Sequence, residues 1–307
     1  MNAYYSDRFV LPLPVGHRFP MEKYGLIREG ALTMVPGLQV QEAPTTSDGV
    51  LSLAHEPVYI RRVSIGGLSV AEQKIIGFPW SPQMVERSRH SVGATIEACR
   101  TALRSGVAIN LAGGTYHAPA GHGAGFCVFN DAAIADRLMQ TEQRLQSVTI
   151  VDWDVHQGEG SASILARDDS VFTLSIHGAG NYPFRNEQGD LDAGLPDGAG
   201  DAGYLTALRD SLGAMFARFS PQLILFLAGV DPHEGDRLGH LKLTFSGLAA
   251  PDRIVLDAAH RKRIPVAIAM VGGYGNDIRD TVTVHLQTIA IAAEYALRWQ
   301  DNCISSA

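Results

Sequence analysis

Ionisable side chains follow short apolar segments at several points in this sequence. Asp152, Asp154 and His156 come directly after Val148–Val151 at a spacing of two, and Asp231 follows another such segment. Side chains alternate along an extended strand, so we expect the first three on one face. A divalent cation is one partner that would satisfy buried carboxylates. Two carboxylates and one imidazole suit catalytic zinc with an open position, and ferrous iron or manganese accept the same donors.

Local spacing also permits simpler interpretations. A hydrogen-bonded turn would explain the cluster from Asp152 to His156, and it is Asp231 at a second strand end that favours a metal. Tyr274 follows two glycines and fits a packing residue as well as a functional one. His117 taken alone is typical of a buried structural histidine, and the neighbouring glycines are typical of tight turns.

Short, continuous and partly β-branched apolar segments recur along the chain, which suits strands buried on both faces of a sheet. They are Val107–Leu111, Val148–Val151, Val171–Ile176, Leu223–Leu227 and Val266–Val271. Helix-like patterns alternate with them, at about Met84–Leu103, Asp131–Gln140, Asp201–Phe219, Pro251–Lys262 and Asp280–Trp299. This alternation predicts an α/β fold with one parallel sheet, in which ligands bind beyond the carboxyl ends of the strands.

Two regions do not follow the alternation. Residues 1–80 are proline-rich and irregular, with one weak helix near Met21–Arg28. Residues 177–200 hold Gly, Asn, Asp and Pro throughout, which predicts a long loop that serves a site or is mobile. No strong boundary divides the chain, so we predict a single domain over residues 1–307.

Composition narrows the classes of function. The chain carries 25 Lys and Arg against 32 Asp and Glu, a net charge of −7, which argues against a nucleic-acid binder. No apolar stretch is long enough for a membrane span, and the N-terminus does not resemble a signal peptide. Three cysteines, Cys99, Cys127 and Cys303, are typical of a reducing compartment. We therefore expect a cytoplasmic protein without membrane or nucleic-acid partners.

The sequence resembles the zinc-dependent histone deacetylases and their bacterial relatives, the deacetylase-like amidohydrolases, over nearly its whole length. The segments that carry the resemblance are His17–Tyr24, His55–Ile60, Gly77–Pro82, Asn110–Ala118, Gly125–Asp131, Val151–Gly160, Ser175–Gly178, Ala228–Thr244 and Gly272–Gly275. The first segment and the short length look most like the class IV branch. The resemblance implies the arginase/deacetylase fold, a mostly parallel sheet of about eight strands between helix layers.

The resemblance also implies a set of roles at one site. Asp154, His156 and Asp231 would be the zinc ligands, with ferrous iron as a second choice of metal. His117 would act as general base and then general acid. Tyr274 would donate its hydroxyl to the substrate carbonyl.

Further roles follow from the same resemblance. Glu159 would orient His117, which matches the second histidine of a family pair, and Asp152 would lie near the position of the first, where this chain has Tyr116. Phe126 and Tyr182, with Gly125 and Gly273, would line a narrow channel for an acylated aliphatic chain. A monovalent cation, usually potassium, would be held by Asp152, Asp154, His156, Ser175 and Ile176. The implied activity is hydrolysis of an acyl amide, with acetyl the first choice of acyl group, on a lysine-like or other small amine.

One position departs from the family pattern. The family reads Gly-Gly-x-His-His at the first strand end, whereas this chain reads Gly113-Gly114-Thr115-Tyr116-His117. Tyrosine cannot become cationic near neutral pH, although it still forms hydrogen bonds. We expect a working enzyme with an altered pH profile or substrate. The alternatives are a slow enzyme and a protein that binds acyl amines without turnover.

Two other activities are alternatives to the hydrolysis of acyl-lysine. An acetylpolyamine amidohydrolase is less favoured because the Gly77–Pro82 region is short for the entrance loop of such enzymes. A binuclear manganese ureohydrolase needs a further aspartate after the Asp154–His156 pair, and Gly158 stands there instead. Substrate identity, acyl length and oligomeric state are not determined by these patterns.

Overall fold

Eight strands pair in parallel into one sheet in this computed structural model, which describes residues 1–304 and the side chains of residues 1–301. The strands are β1 Asn2–Tyr5, β2 Gln39–Glu42, β3 Val107–Asn110, β4 Val148–Asp152, β5 Val171–Gly178, β6 Leu191–Leu195, β7 Leu223–Gly229 and β8 Val266–Val271. Their order across the sheet is β2-β1-β3-β8-β7-β4-β5-β6. The predicted parallel sheet of about eight strands is confirmed.

Helices cover both faces of this sheet. They are α1 Lys23–Met34, α2 Asp48–Leu51, α3 Pro57–Ile65, α4 Val70–Ile76, α5 Pro82–Ser105, α6 Asp131–Gln143, α7 Glu159–Leu165, α8 Asp201–Arg218, α9 Phe245–Lys262 and α10 Ile278–Ile304. One apolar core joins α5 and α6 to one face, and a second joins α1, α8, α9 and α10 to the other. No helix in the described part of the chain is long and apolar enough to cross a membrane.

All five predicted strands are present, and three further strands were not predicted. β1 and β2 lie in the region 1–80 that was expected to be irregular, together with helices α2, α3 and α4. β6 lies within residues 177–200, which were expected to form only a loop. β2 and β6 are the edges of the sheet, where side chains are exposed or half exposed. Pairing with a neighbouring strand, rather than local composition, makes these segments extended.

Helix boundaries differ from the predicted ones where a cap was overlooked. The pattern at Pro251–Lys262 was predicted to start at proline, which is common at the first helical position. The helix in fact starts at Phe245, because the Thr244 hydroxyl accepts the backbone N–H of Gly247. Pro251 therefore lies inside α9. α1 likewise ends at Met34, six residues beyond the predicted end at Arg28.

The order of the central strands determines which loops meet. β8, β7 and β4 are neighbours in the sheet and all point the same way, so their carboxyl ends lie side by side. The loops that begin after Asp152, Gly229 and Val271 therefore converge at one edge. This edge is where ligands bind in open parallel sheets.

Candidate active site

Three side chains converge beyond the ends of β4 and β7. One ligand atom from each of Asp154, His156 and Asp231 lies within 4.8 Å of the other two. The Nδ1 atom of His156 is 2.7 Å from Oδ1 of Asp154 and 3.5 Å from Oδ2 of Asp231. All three residues are buried. β4 ends at Asp152, so Asp154 and His156 are brought together by a turn and not by the strand alternation that was expected.

These donors fit a divalent cation. The Oδ2 atoms of Asp154 and Asp231 are buried and have no hydrogen-bond partner. Gly272 faces both, with a φ of 60°, and a Cβ at this position would overlap the two oxygens. Buried carboxylate oxygens in native proteins are almost always partnered, so a space that glycine leaves beside two orphaned ones indicates a bound ion. Asp154, His156 and Asp231 would hold it, and the donor set suits zinc or ferrous iron.

Charge interactions within this cluster are strong. Burial alone would oppose ionisation, yet the charge and hydrogen bond of Asp154 raise the pKa of His156 well above its usual value. The same contact lowers the pKa of Asp154. Burial and the charge of Asp154 raise the pKa of Asp231.

His117 lies beside this cluster, and Glu159 contacts one of its two ring nitrogens. Its Nδ1 atom is 2.5 Å from Oε2 of Glu159, the first residue of α7. Both side chains are largely buried. The imidazole ring is 5.8 Å from the ring of His156. A histidine whose one nitrogen is bonded to a carboxylate keeps its other nitrogen available for proton transfer, so the pair has the geometry of a general base and its orienting group.

Tyr274 occupies a glycine-rich turn after β8. Gly272 and Gly273 both have positive φ, and the Nζ atom of Lys23 donates hydrogen bonds to their carbonyl oxygens. Burial, followed by the charges of Asp154 and Asp231, raises the pKa of Tyr274 well above its usual value. Its phenol therefore stays protonated and is available as a hydrogen-bond donor.

Tyr116 lies beneath His117 and reaches the metal-ligating cluster. It is buried, and its ring is 4.3 Å from the ring of His117. Burial raises its pKa, and the charges of Asp154 and Asp152 add to the shift. Oδ1 of Asp152 accepts the backbone N–H of Asp154 at 3.0 Å, and Oδ2 of Asp152 has no partner. The tyrosine thus adjoins the candidate metal ligands, and one oxygen of Asp152 is left unpaired.

Asp152 and Ser175 are paired across β4 and β5. A small cavity of about 10 Å³ lies between them, next to Gly158 and Ser161. Burial and the charge of Asp154 raise the pKa of Asp152. Ile176 follows Ser175 inside β5, whereas Asp154 and His156 lie in the turn beyond the end of β4, so whether the five residues hold a monovalent cation stays a prediction.

A cavity of about 340 Å³ leads from His117, His156 and Tyr274 to the surface. Phe126 and Tyr182 form its walls, with ring centroids 5.7 Å from Tyr274 and 5.3 Å from His117, respectively. Gly125 is closely packed, since a Cβ there would lie 2.8 Å from the His117 ring. Gly273 is not among the residues that line this cavity, because it packs against Val230, Thr281 and His285 instead.

Several residues around the site were not predicted individually. The mouth of the channel is lined by Arg18, Ile75, Phe184, Leu238 and His240, which come from separate segments. Phe184 is 91% exposed there. No local pattern marks these residues, because only the folded chain brings them together. Lys23 and Asp236, which contact the turn of Tyr274, lie inside segments that carry the family resemblance but have no distinctive spacing.

Comparisons with known proteins agree with this geometry. Residues 17–289 match the histone deacetylase domain. A protein of Picosynechococcus sp., described only as uncharacterized, is 42% identical over 285 residues, 92% of this chain and 94% of that protein. The histone deacetylase-like amidohydrolase of Pseudomonas aeruginosa is 31% identical over 73% of this chain, which spans 63% of its length. The acetoin utilization protein AcuC of Bacillus subtilis is 30% identical, over 84% of this chain and 74% of that protein.

Solved structures show the same fold. A histone deacetylase homologue from Aquifex aeolicus superposes with a TM-score of 0.82 at 19% identity, covering 95% of this chain and 84% of that one. The HD domain of HDA15 superposes with a TM-score of 0.77 at 21% identity, covering 100% and 99%. The predicted arginase/deacetylase fold is thereby confirmed, and the match to the domain establishes that this chain belongs to the histone deacetylase family.

Proposed function

We propose that this protein is a metal-dependent amide hydrolase that removes an acetyl group from a lysine-like amine. The observation that carries the proposal is the pair of orphaned carboxylate oxygens, on Asp154 and Asp231, beside His156, which lines an open channel. Membership of a family of deacetylases and amidohydrolases supports the reaction class. Amide hydrolysis of this kind needs a cation site, a base and a hydroxyl donor, and the candidate site contains residues for all three.

The mechanism assigns one task to each side chain. A divalent cation held by Asp154, His156 and Asp231 would supply Lewis-acid chemistry and lower the pKa of water. His117, oriented by Glu159, would take a proton from water and deliver it to the leaving amine. Tyr274 would donate its hydroxyl to the oxygen of the carbonyl as negative charge develops there.

The size of the space behind the cation site is the basis for proposing an acetyl group. A cavity of about 50 Å³ lies there, lined by Gly114, Tyr116, Phe129 and Val271 among others. About 10–15 Å³ of this volume, which counts positions of the centre of a water-sized sphere, holds one water molecule, so the cavity has room for a short acyl group. Acetyl fits this space, whereas a fatty acyl chain would need the surrounding side chains to move.

The amine is proposed from the mouth of the channel. Phe126 and Tyr182 present ring faces to an aliphatic chain, and Arg18 adds a positive charge at the rim. No carboxylate belongs to the described residues that line this cavity. A polyamine carries a second positive charge that would find no carboxylate among these lining residues and would meet Arg18. Acyl-lysine is therefore favoured over an acetylpolyamine.

A turnover panel on metal-reconstituted protein tests the proposal. It crosses acetyl, butanoyl and long fatty acyl groups with lysine peptides and with acetylspermidine, each with and without a chelator. We expect acetyl-lysine to be the best substrate and chelation to abolish turnover. Turnover that survives chelation would contradict the hydrolase mechanism. Equal rates on acetylspermidine would contradict the choice of amine.

A second function is favoured by one observation: the buried Tyr116 stands where the family pattern has a histidine, and Oδ2 of Asp152 has no partner. A site without that imidazole would suit a protein that binds acyl amines without turning them over. In that case the panel gives no turnover, while an acetyl-lysine peptide still binds. Metal analysis should then show at most one ion per chain, since the described residues offer one group of three close donors.

A further inference from the structure

The loop that follows Asp231 holds both peptide groups of Tyr274. Oδ2 of Asp236 accepts the backbone N–H of Tyr274 at 2.6 Å. Nε of Arg237 donates to the carbonyl oxygen of Tyr274 at 2.7 Å. Two consecutive side chains therefore hold one residue from either side. Asp236 is buried, with 8% of its surface exposed.

Tyr274 needs such a support because the glycines on either side of it restrict the backbone conformation very little. Gly272 and Gly273 precede it with φ of 60° and 87°, and Gly275 follows it. Glycine has more backbone freedom than any other residue, so the direction of the phenol is not determined by the turn alone. Lys23 holds the carbonyl groups before the tyrosine, whereas Asp236 and Arg237 contact the tyrosine itself.

Hydrogen bonds within its own loop orient the carboxylate of Asp236. Its Oδ1 atom accepts the backbone N–H groups of Leu238 at 2.8 Å and Gly239 at 3.1 Å. These bonds fix the plane of the carboxylate and direct Oδ2 toward the tyrosine. Gly239 in turn packs against the backbone carbonyl of Asp231, where a Cβ would overlap it. The turn that presents a candidate metal ligand thus also sets the backbone of Tyr274.

We propose that Asp236 is a positioning residue, which places the Tyr274 hydroxyl where the carbonyl oxygen of the substrate becomes negative. The inference rests on the proposed function for its kinetic consequence, since the hydroxyl matters only if an amide is hydrolysed. Its structural part, the restraint of the glycine-rich turn, is independent of turnover. A donor contributes to catalysis only when it is aimed at the place where charge develops.

Asp236→Asn is the sharpest test because it changes one contact in nearly the same volume. If the amide oxygen keeps Leu238 and Gly239, the NH₂ group faces the N–H of Tyr274, and two donors oppose each other. We expect kcat for acetyl-lysine peptide to fall by about 10- to 100-fold, with KM changed less than about threefold. Asp201→Asn is the matched control. Asp201 also accepts a backbone N–H, that of Thr244, in a hydrogen bond of 2.9 Å, but it lies outside the site. That variant should retain wild-type kcat.

A double-mutant cycle separates positioning from a general structural role. In a Tyr274→Phe background the hydroxyl is already absent, so Asp236→Asn should lower kcat by less than about threefold. Full additivity of the two losses would overturn the proposal. Loss of bound metal from Asp236→Asn would also overturn it, because the residue would then act through Asp231.

Hydrogen exchange tests the same restraint without any substrate. Peptides covering residues 272–276 of the metal-loaded protein should exchange faster in Asp236→Asn than in wild type or in Asp201→Asn. Unchanged exchange together with unchanged kcat would overturn the proposal. If wild type turns over no acyl amine while this exchange difference is present, the proposed hydrolase function fails and the restraint on Tyr274 stands.

Discussion

The floor and the mouth of the channel are built in different ways. The floor consists of buried side chains, Asp154, His156 and Asp231, which follow neighbouring strands of the sheet. The mouth consists of exposed or half-exposed side chains from separate segments, among them Phe184 at 91% exposure and Ile75 in α4. The floor follows the ends of neighbouring strands, whereas the mouth depends on how distant segments pack. We therefore expect the floor to determine whether the reaction occurs and the mouth to determine on which amine.

The largest effect is expected at the floor. His156→Ala removes a donor from the buried cluster and should reduce both bound metal and turnover, the latter by more than about 1,000-fold. His240→Ala at the mouth is the matched control, because His240 pairs with the exposed Asp197 at 3.3 Å. It should change turnover by less than about threefold. Metal analysis and steady-state kinetics of both variants measure this, and similar losses would contradict the division between floor and mouth.

A buried carboxylate outside the site provides a reference for the floor. Burial raises the pKa of Asp252 to about 7, and its hydrogen bond with Thr288 is 2.6 Å long. Because this folded-state pKa exceeds the unfolded value, the contribution to stability is present below about pH 4 and is lost as the pH rises toward 7.

Asp252→Asn should therefore stabilise the protein at pH 8, by up to about 4 kcal/mol in the free energy of unfolding, and have no such effect near pH 4. Urea denaturation at the two pH values measures the difference. A stabilisation that is the same at both pH values would show that Asp252 is not protonated in the folded state. Turnover should not change, in contrast to the carboxylates of the floor.

Removal of the phenol hydroxyl from the floor should act on chemistry alone. Tyr274→Phe is expected to lower kcat by about 100- to 1,000-fold while bound metal stays at the wild-type level. Tyr182→Phe removes the same atom from the wall of the channel and should change kcat by only a few fold. A loss of comparable size in Tyr182→Phe would assign the hydroxyl donor to the wrong tyrosine.

The substituted position beneath His117 should give a smaller change in the opposite direction. Tyr116→His provides an imidazole near the unpaired oxygen of Asp152 and removes the phenol hydroxyl. We expect turnover of an acetyl-lysine substrate to rise by several fold, up to about tenfold. Tyr116→Phe, which removes only the hydroxyl, separates the two contributions. No rise in Tyr116→His would show that tyrosine is a fitted part of this site.

The smallest effect is expected at the rim. Arg18→Glu should shift preference by a few fold from acetyl-lysine peptides with acidic flanking residues toward peptides with basic ones. Exposed charges act weakly and are screened, so the shift should fade between low and high salt. Arg209→Glu makes the same charge change in α8, away from the channel, and should have no effect on preference. Equal shifts in both variants would assign the effect to net charge.

Sequence patterns were sufficient for the centre of the fold. The five apolar segments that form β3, β4, β5, β7 and β8 are buried on both faces, so their composition alone marks them as strands. The candidate metal donors follow two of these strands directly. The parallel direction of the sheet brings all carboxyl ends to one edge, and the pairing of β4 with β7, which only the structure shows, brings these donors together.

Only the tertiary structure decided the rest. β2 and β6 are extended because a neighbouring strand pairs with them, and their own residues carry no continuous apolar segment. Arg18, Phe184 and His240 meet at the mouth from positions far apart in the chain, and Asp236 reaches Tyr274 across 38 positions. Such contacts depend on how loops pack, and no local spacing encodes them. The chemistry of the floor was therefore readable in the sequence, whereas the aim of Tyr274 and the shape of the entrance were not.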